Sequence, residues 1–168
     1  VFKVYELDDY LPNVPIKNMH RAHMPKDILK SLRKSLSLVD RFVVSTAALA
    51  NRFDGLHNDI QISENRLPVK EWGNLISLRG QGRKPRVGWA CGSSHTGDLE
   101  MIYDVIRALS DRVEWVFMGM CPPKLRPYLY EYHHGVDFAS YPEKLASLNL
   151  DLALAPVEDN EFNPVSYT

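Results

Sequence analysis

The chain has 168 residues, 45% of them hydrophobic and 24% charged, with a net charge of −1 at pH 7. This composition is normal for a globular protein, and the length suffices for one domain or two small ones. Because 20 basic residues balance 21 acidic ones, no excess of positive charge is available to bind nucleic acid or an anionic membrane. Cys91 and Cys121 form neither a disulfide framework nor a CxxC pair, so buried free thiols and a reducing cytoplasm are expected.

The first half of the chain alternates predicted strands with predicted helices. Apolar and β-branched runs predict strands over residues 2–7, 41–45 and 60–62. Apolar spacing predicts helices over residues 28–39 and 47–53, the second of them capped by Thr46. Three prolines predict a loop between the first strand and the first helix.

The same alternation begins again after a polar segment containing two glycines and a proline. Strands are predicted over residues 87–90, 113–118, 135–138 and 150–155, and helical segments over residues 99–109, 123–129 and 142–148. Such alternation favours an α/β fold with mainly parallel sheets. We therefore expect two Rossmann-like units, each incomplete in this chain: residues 1–76, a linker over 77–86, and residues 87–168.

The loop that follows the strand over residues 87–90 is a candidate phosphate site. Gly92, Ser93, Ser94 and His95 lie between a predicted strand and a predicted helix, where doubly wound sheets bind ligands. Small residues admit an anion, and amides, hydroxyls and an imidazole can donate to it. The alternative interpretation is a plain loop in which Thr96 or Asp98 only caps the helix. Neither a dinucleotide fingerprint nor a P-loop is present.

A second polar cluster follows the last predicted strand. Glu158, Asn160, Glu161 and Asn163 could bind sugar hydroxyls, because carboxylates accept hydrogen bonds and amides both donate and accept them. A solvated acidic turn and a magnesium or calcium site are the alternatives, although the spacing does not match an EF-hand loop.

Two further groups occur near the beginning of the chain. Asp8 and Asp9 end the first strand, where a carboxylate could orient an acceptor hydroxyl or take its proton, or could simply begin an Asx-type turn. His20 and His23 lie in the proline-bearing loop, as acceptor contacts or as surface histidines.

Several segments, in this order, resemble bacterial glycosyltransferases that build surface polysaccharides. They are VYELDDYL, FVVSTAALANRF, DIQISENRLP, RVGWACGSSHTGDLEMI and LDLALAPVEDNEFN. Together they resemble the end of the N-terminal domain and the first part of the donor domain of a retaining enzyme with the two-domain GT-B architecture.

The resemblance implies transfer of a hexose from a nucleotide-diphosphate sugar to a saccharide or lipid-linked acceptor, at a cleft between two Rossmann-like domains. Residues 92–95 would face the donor diphosphate, and Glu158, Asn160 and Asn163 the donor sugar, with Glu161 catalytic. Asp9 would be catalytic from the acceptor side, together with Asp8, His20 and His23. No cofactor or metal is expected, and the location would be cytoplasmic, with peripheral contact at the inner face of the membrane in the complete protein.

The chain also departs from that family pattern. A second glutamate would fall at position 169, basic residues near the acidic motif are absent, and the N-terminal glycine-rich loop is missing. The chain alone is therefore expected to be inactive or weakly active. The alternatives are a non-catalytic module that binds a nucleotide sugar or phosphate, and a two-lobed periplasmic receptor, which is disfavoured because no export signal is visible.

Overall fold

The computed structural model describes residues 1–82, 84–92, 95–159 and 162–163. They form two compact units, each built on its own parallel sheet. The first unit comprises Val1–Arg66 with Asp159, Phe162 and Asn163, and the second comprises Leu67–Glu158. The α/β class expected from the sequence is confirmed, and two parallel sheets of this kind are consistent with Rossmann-like units.

The first unit has a sheet with the strand order β1-β2-β3. Its elements are β1 (Val4–Leu7), α1 (Ile28–Leu36), β2 (Arg41–Val44), α2 (Ala47–Arg52) and β3 (Ile60–Ile62), with 3₁₀ turns at Leu11–Asn13 and Met19–His23. The predicted cap of α2 is confirmed, because the Thr46 side chain accepts a hydrogen bond of 3.0 Å from the Leu49 N–H. The central strand β2 carries the core side chains Phe42 and Val44.

The second unit has a sheet with the strand order β6-β5-β4-β7. Its elements are α3 (Val69–Trp72), β4 (Arg86–Cys91), α4 (Thr96–Glu100), α5 (Tyr103–Leu109), β5 (Glu114–Gly119), a 3₁₀ turn (Pro123–Tyr128), β6 (Glu131–His133), α6 (Tyr141–Ser147) and β7 (Leu152–Ala153). The strands after β4 thus extend the sheet on one side, whereas β7 returns to pair with β4 on the other side.

The apolar strand β5 forms the centre of this unit. Its residues 115–118 are all buried, so both faces of the strand are covered. Trp115 and Phe117 belong to one core cluster, while Val116 and Met118 pack with Leu148 on the other face. This two-sided burial holds the carboxyl ends of β4 and β5 in fixed register.

One arginine joins the amino-terminal ends of three chain segments in this unit. The Arg86 guanidinium bonds to Glu131 at 2.9 and 3.0 Å, to Glu114 at 3.2 Å and to the Leu148 carbonyl at 3.0 and 3.1 Å. The hydrogen bond from Arg86 is the largest cause that lowers the pKa of Glu131. The arrangement therefore ties β4, β5 and β6 together at the edge opposite to their carboxyl ends.

The segment predicted as a linker bonds to the second unit where the structure describes it. The Leu78 N–H donates to Asn149 Oδ1 at 2.7 Å, and the Gly80 N–H donates to Asp151 Oδ1 at 2.6 Å. In the described residues, no helix has both the length and the apolarity that a membrane span requires.

Three predicted elements of the second unit were wrong in position or extent. A strand was predicted over residues 135–138, but the strand of the structure lies earlier, at Glu131–His133. These residues pair with β5, and the Glu131 carboxylate bonds to Arg86. The helix predicted over residues 99–109 is divided into α4 and α5 at Met101 and Ile102, and the last strand pairs only over Leu152–Ala153.

Candidate functional site

The carboxyl edge of the second sheet contains a topological switch point. The strands β5 and β6, which follow β4 in the chain, lie on one side of it in the sheet. The later strand β7 pairs with β4 on its other side. In doubly wound sheets, ligands bind outside the carboxyl ends of the strands at such a switch point. The two polar clusters singled out in the sequence follow β4 and β7.

The loop after β4 places Gly92 and His95 at this switch point, whereas Ser93 and Ser94 lie outside the described residues. Gly92 is exposed, and a Cβ added to it would meet nothing within 4 Å. Helix α4 begins at Thr96, and its N-cap residue is His95, whose side chain does not cap the helix amides. His95 Nδ1 instead lies 2.7 Å from Asp98 Oδ2.

Asp98 connects the loop after β4 to the segment after β7. It is 5% exposed, and its other carboxylate oxygen, Oδ1, accepts a hydrogen bond of 2.6 Å from the Glu158 backbone N–H. The Glu158 carboxylate lies against Gly97, where an added Cβ would be 2.8 Å from Glu158 Oε2. Gly97 is therefore a position where the absence of a side chain permits the close approach of a carboxylate.

The surroundings of His95 favour its charged form. Hydrogen bonds to Cys91 and to Asp98 raise the pKa of His95 to about 9, although burial opposes this shift. Protonated, the imidazole carries a positive charge at neutral pH beside the switch point.

The acidic segment after β7 is described in part. Glu158 is half-buried in the second unit, and Asn163, which is 3% exposed, groups with the first unit. Asn160 and Glu161 lie outside the described residues. The structure thus places Gly92, His95 and Glu158 in one unit, and the contribution of Asn163 to a donor site stays a prediction.

The residues predicted for the acceptor side all belong to the first unit. Asp8 is exposed directly after β1, and its carbonyl accepts a hydrogen bond of 3.3 Å from the Ser45 hydroxyl. Asp9 is half-buried, while His20 and His23 are exposed on the 3₁₀ turn at Met19–His23. Asp8 and Asp9 therefore lie at the carboxyl end of a parallel strand, as the sequence predicted.

A cavity of about 310 Å³ opens at the same edge of the second sheet as the switch point. Its wall is formed by the ends of β4 and β5, the segment after β6 and helix α6, through Ala90, Cys91, Gly92, Met118, Gly119, Met120, Gly135, Val136 and Tyr141. The Tyr141 hydroxyl donates to the Ala90 carbonyl at 3.1 Å, which fixes one side of this wall. The lining is mostly apolar and has the size of a small ligand pocket.

Sequence reasoning missed two residues of this region. Asp98 was interpreted only as a possible helix cap, because its bond to Glu158 joins residues 60 positions apart in the chain. Cys91 was expected to be a buried structural thiol, but it is only partly buried, and its thiol is the largest cause of the raised pKa of His95. The spacing of His95 and Asp98 was visible in the sequence, yet spacing alone does not show that their side chains meet.

Compared with protein-family models and with curated proteins, the sequence matches none. Among the residues that the structure describes, no group of three or more His, Cys, Asp or Glu side chains could hold a metal ion.

Proposed function

We propose that the chain forms part of a GT-B glycosyltransferase that moves a sugar from a nucleotide-diphosphate sugar to a saccharide or lipid-linked acceptor. The observation that carries the proposal is the bridge made by Asp98. One carboxylate binds both His95, after β4, and the Glu158 amide, after β7, so a cationic group and a carboxylate lie on the two sides of one switch point.

The roles of these residues follow from their chemistry. His95 and the loop from Gly92 would bind the donor diphosphate, because an imidazolium stabilises the charge of the leaving phosphate. Glu158 would accept hydrogen bonds from hydroxyls of the donor sugar, since a carboxylate repels phosphate but accepts from a hydroxyl. Asn160 and Asn163 would add amide contacts to the sugar.

The remaining roles come from the family resemblance. Glu161 and Asp9 would be catalytic, and Asp8, His20 and His23 would contact the acceptor. Retention of configuration, independence from metal, and a location at the cytoplasmic face of the membrane belong to the same proposal.

The test begins with calorimetric titration of UDP-, GDP-, ADP- and dTDP-sugars and the corresponding nucleoside diphosphates. We expect His95→Gln to weaken the diphosphate and the nucleotide sugar alike, by about tenfold or more, because a charge-assisted hydrogen bond is lost. Glu158→Gln should weaken the nucleotide sugar and leave the nucleoside diphosphate unchanged. His134→Gln, an exposed histidine of the same unit, is the matched control.

The outcomes separate the competing functions. Failure of every nucleotide sugar to bind would refute the donor assignment. In the full-length protein, binding without release of nucleoside diphosphate in the presence of saccharide acceptors would favour the non-catalytic module. Equal losses for both ligands in Glu158→Gln would remove that carboxylate from the sugar site.

A further inference from the structure

A second cavity, of about 430 Å³, lies in the first unit and contains none of the residues assigned to the candidate site. Its wall is built by the two 3₁₀ turns of this unit, by residues that follow each of them, and by the start of α1. The apolar part of the wall includes the buried Val14 and the half-buried Met24 and Ile28. The cavity thus has the size of a small-molecule site.

Three charged side chains, those of Arg21, Lys26 and Asp27, also line this cavity. The Asp27 carboxylate caps α1, because its Oδ1 accepts a hydrogen bond of 2.9 Å from the Lys30 N–H. In the part of the chain that the structure describes, neither Arg21 nor Lys26 forms an ion pair. The wall therefore carries two positive charges and one negative charge, and the excess attracts an anion.

Arg21 is held at the wall by a bond to the backbone. Its Nη1 donates a hydrogen bond to the carbonyl of Val14, and the Met24 N–H donates to the Arg21 carbonyl at 3.2 Å, which closes the turn that carries the side chain. A guanidinium has five N–H donors in a planar fork that fits two oxygens of a phosphate. Among the described residues the guanidinium makes only this one hydrogen bond, so its other donors are available to a ligand.

We propose that this cavity binds a phosphate ester that carries an apolar group. Arg21 and Lys26 bind the phosphate, and the apolar group lies against Met24 and Ile28. An inorganic anion leaves the apolar wall exposed to water, and a neutral apolar ligand leaves both cations without a partner, whereas a ligand with both parts uses the whole wall. The site goes beyond the proposed sugar transfer and does not depend on it.

The first experiment titrates the chain with hexyl phosphate in an isothermal calorimeter at pH 7, below the concentration at which the ester forms micelles. Inorganic phosphate and hexanol are titrated separately, since each has only one part of the proposed ligand. We expect hexyl phosphate to bind at least about tenfold more tightly than either, because removing even two methylene groups from water is worth about that factor. Hexyl phosphate that does not bind, or binds no more tightly than inorganic phosphate, would overturn the proposal.

Variants then locate the site. Lys26→Gln should weaken the binding of hexyl phosphate about fivefold, because one of the two cations is lost. Lys26 is exposed and its side chain takes part in no hydrogen bond among the described residues, so its replacement removes no contact of the fold. Met24→Gln, of similar length but polar, should reduce the advantage of hexyl phosphate over inorganic phosphate.

Lys34→Gln is the matched control, because Lys34 is exposed on α1 and is not part of the cavity wall. This variant should bind hexyl phosphate as tightly as wild type does. Equal losses in Lys26→Gln and Lys34→Gln would show that net charge alone attracts the ligand, and the proposed site would be wrong.

A phosphate ester with an apolar group is either a soluble molecule or the headgroup of a lipid in a bilayer. Cosedimentation distinguishes these sources, with vesicles of phosphatidylcholine alone compared with vesicles that also contain phosphatidic acid. If wild type and Lys34→Gln sediment with the phosphatidic-acid vesicles and Lys26→Gln does not, the ligand is a lipid headgroup. If hexyl phosphate binds in solution and none of the three proteins sediments, the ligand is a soluble ester. Both results support the site, whereas the absence of binding to hexyl phosphate and to both kinds of vesicle refutes it.

Discussion

Asn in place of Asp98 should destabilise the second unit by an amount that depends on pH. In wild type, Asp98 accepts hydrogen bonds from the Glu158 amide at 2.6 Å and from His95 Nδ1 at 2.7 Å. The amide of Asn can keep one of these bonds through its oxygen, but its NH₂ group then faces the other donor. One charge-assisted bond at a residue that is 5% exposed is lost, which costs about 1.5–3 kcal/mol at pH 7.

The pH dependence follows from the raised pKa of His95. A group whose folded pKa is raised contributes stability that is fully present below its unfolded pKa and is lost as pH rises through the folded pKa. For His95 that window runs from an ordinary value of 6.5 to about 9, and Asp98→Asn removes only part of the shift, because Cys91 is its largest cause. The cost of Asp98→Asn should therefore be largest near pH 6 and should shrink to about 1 kcal/mol above pH 9, when the imidazole is neutral in both proteins.

The assay is urea unfolding followed by tryptophan fluorescence. The three tryptophans, Trp72, Trp89 and Trp115, all lie in the second unit, so the signal reports on that unit. Asp104→Asn is the matched control, because the Asp104 side chain is 82% exposed and pairs with Arg107 on the surface of α5. It should change the free energy of unfolding by less than about 0.5 kcal/mol. If Asp98→Asn at pH 6 also changes the free energy of unfolding by less than about 0.5 kcal/mol, Asp98 does not join the two loops in the way described.

Glycine variants test the site and the fold separately. Gly97→Ala should displace the Glu158 carboxylate, which would lie 2.8 Å from the new Cβ, and weaken binding of the nucleotide sugar more than binding of the nucleoside diphosphate in calorimetry. Equal losses for the two ligands would show that the contact with Glu158 is unimportant. Gly119→Ala should lower the free energy of unfolding more than Gly80→Ala, because both glycines have positive φ but only at Gly119 would the Cβ also lie 2.4 Å from a backbone carbonyl of β4. Strain alone costs about 1–2 kcal/mol, and urea unfolding that gives equal losses would contradict the predicted clash.

The sequence was sufficient to predict the α/β class and most of the strands. Strands such as β2 and β5 are apolar runs bounded by polar residues, and local composition specifies them well. β6 was misplaced because its residues Glu131–His133 are polar, and what makes them a strand is pairing with β5 together with the ion pair to Arg86. Interactions of that kind join distant positions and leave no periodic signal.

The candidate site, like the fold, was predicted from the sequence only in part. The loop after β4 and the acidic segment after β7 were identified by residue type and by their position after strands. Their connection through Asp98 depends on the strand order, in which β7 pairs with β4, and no local pattern encodes that order. Asn160 and Glu161 of the same segment, and Ser93 and Ser94 of the loop, stay predictions because they lie outside the described residues.

The ion-pair cluster around Arg86 lies at the opposite end of the sheet from the candidate binding loops. It joins the starts of β4, β5 and β6, whereas the loops follow the carboxyl ends of β4 and β7. None of the bonds of the Arg86 guanidinium involves a residue of those loops. We therefore expect the candidate binding loops to tolerate exchange, and ligand preference to change, without loss of the sheet.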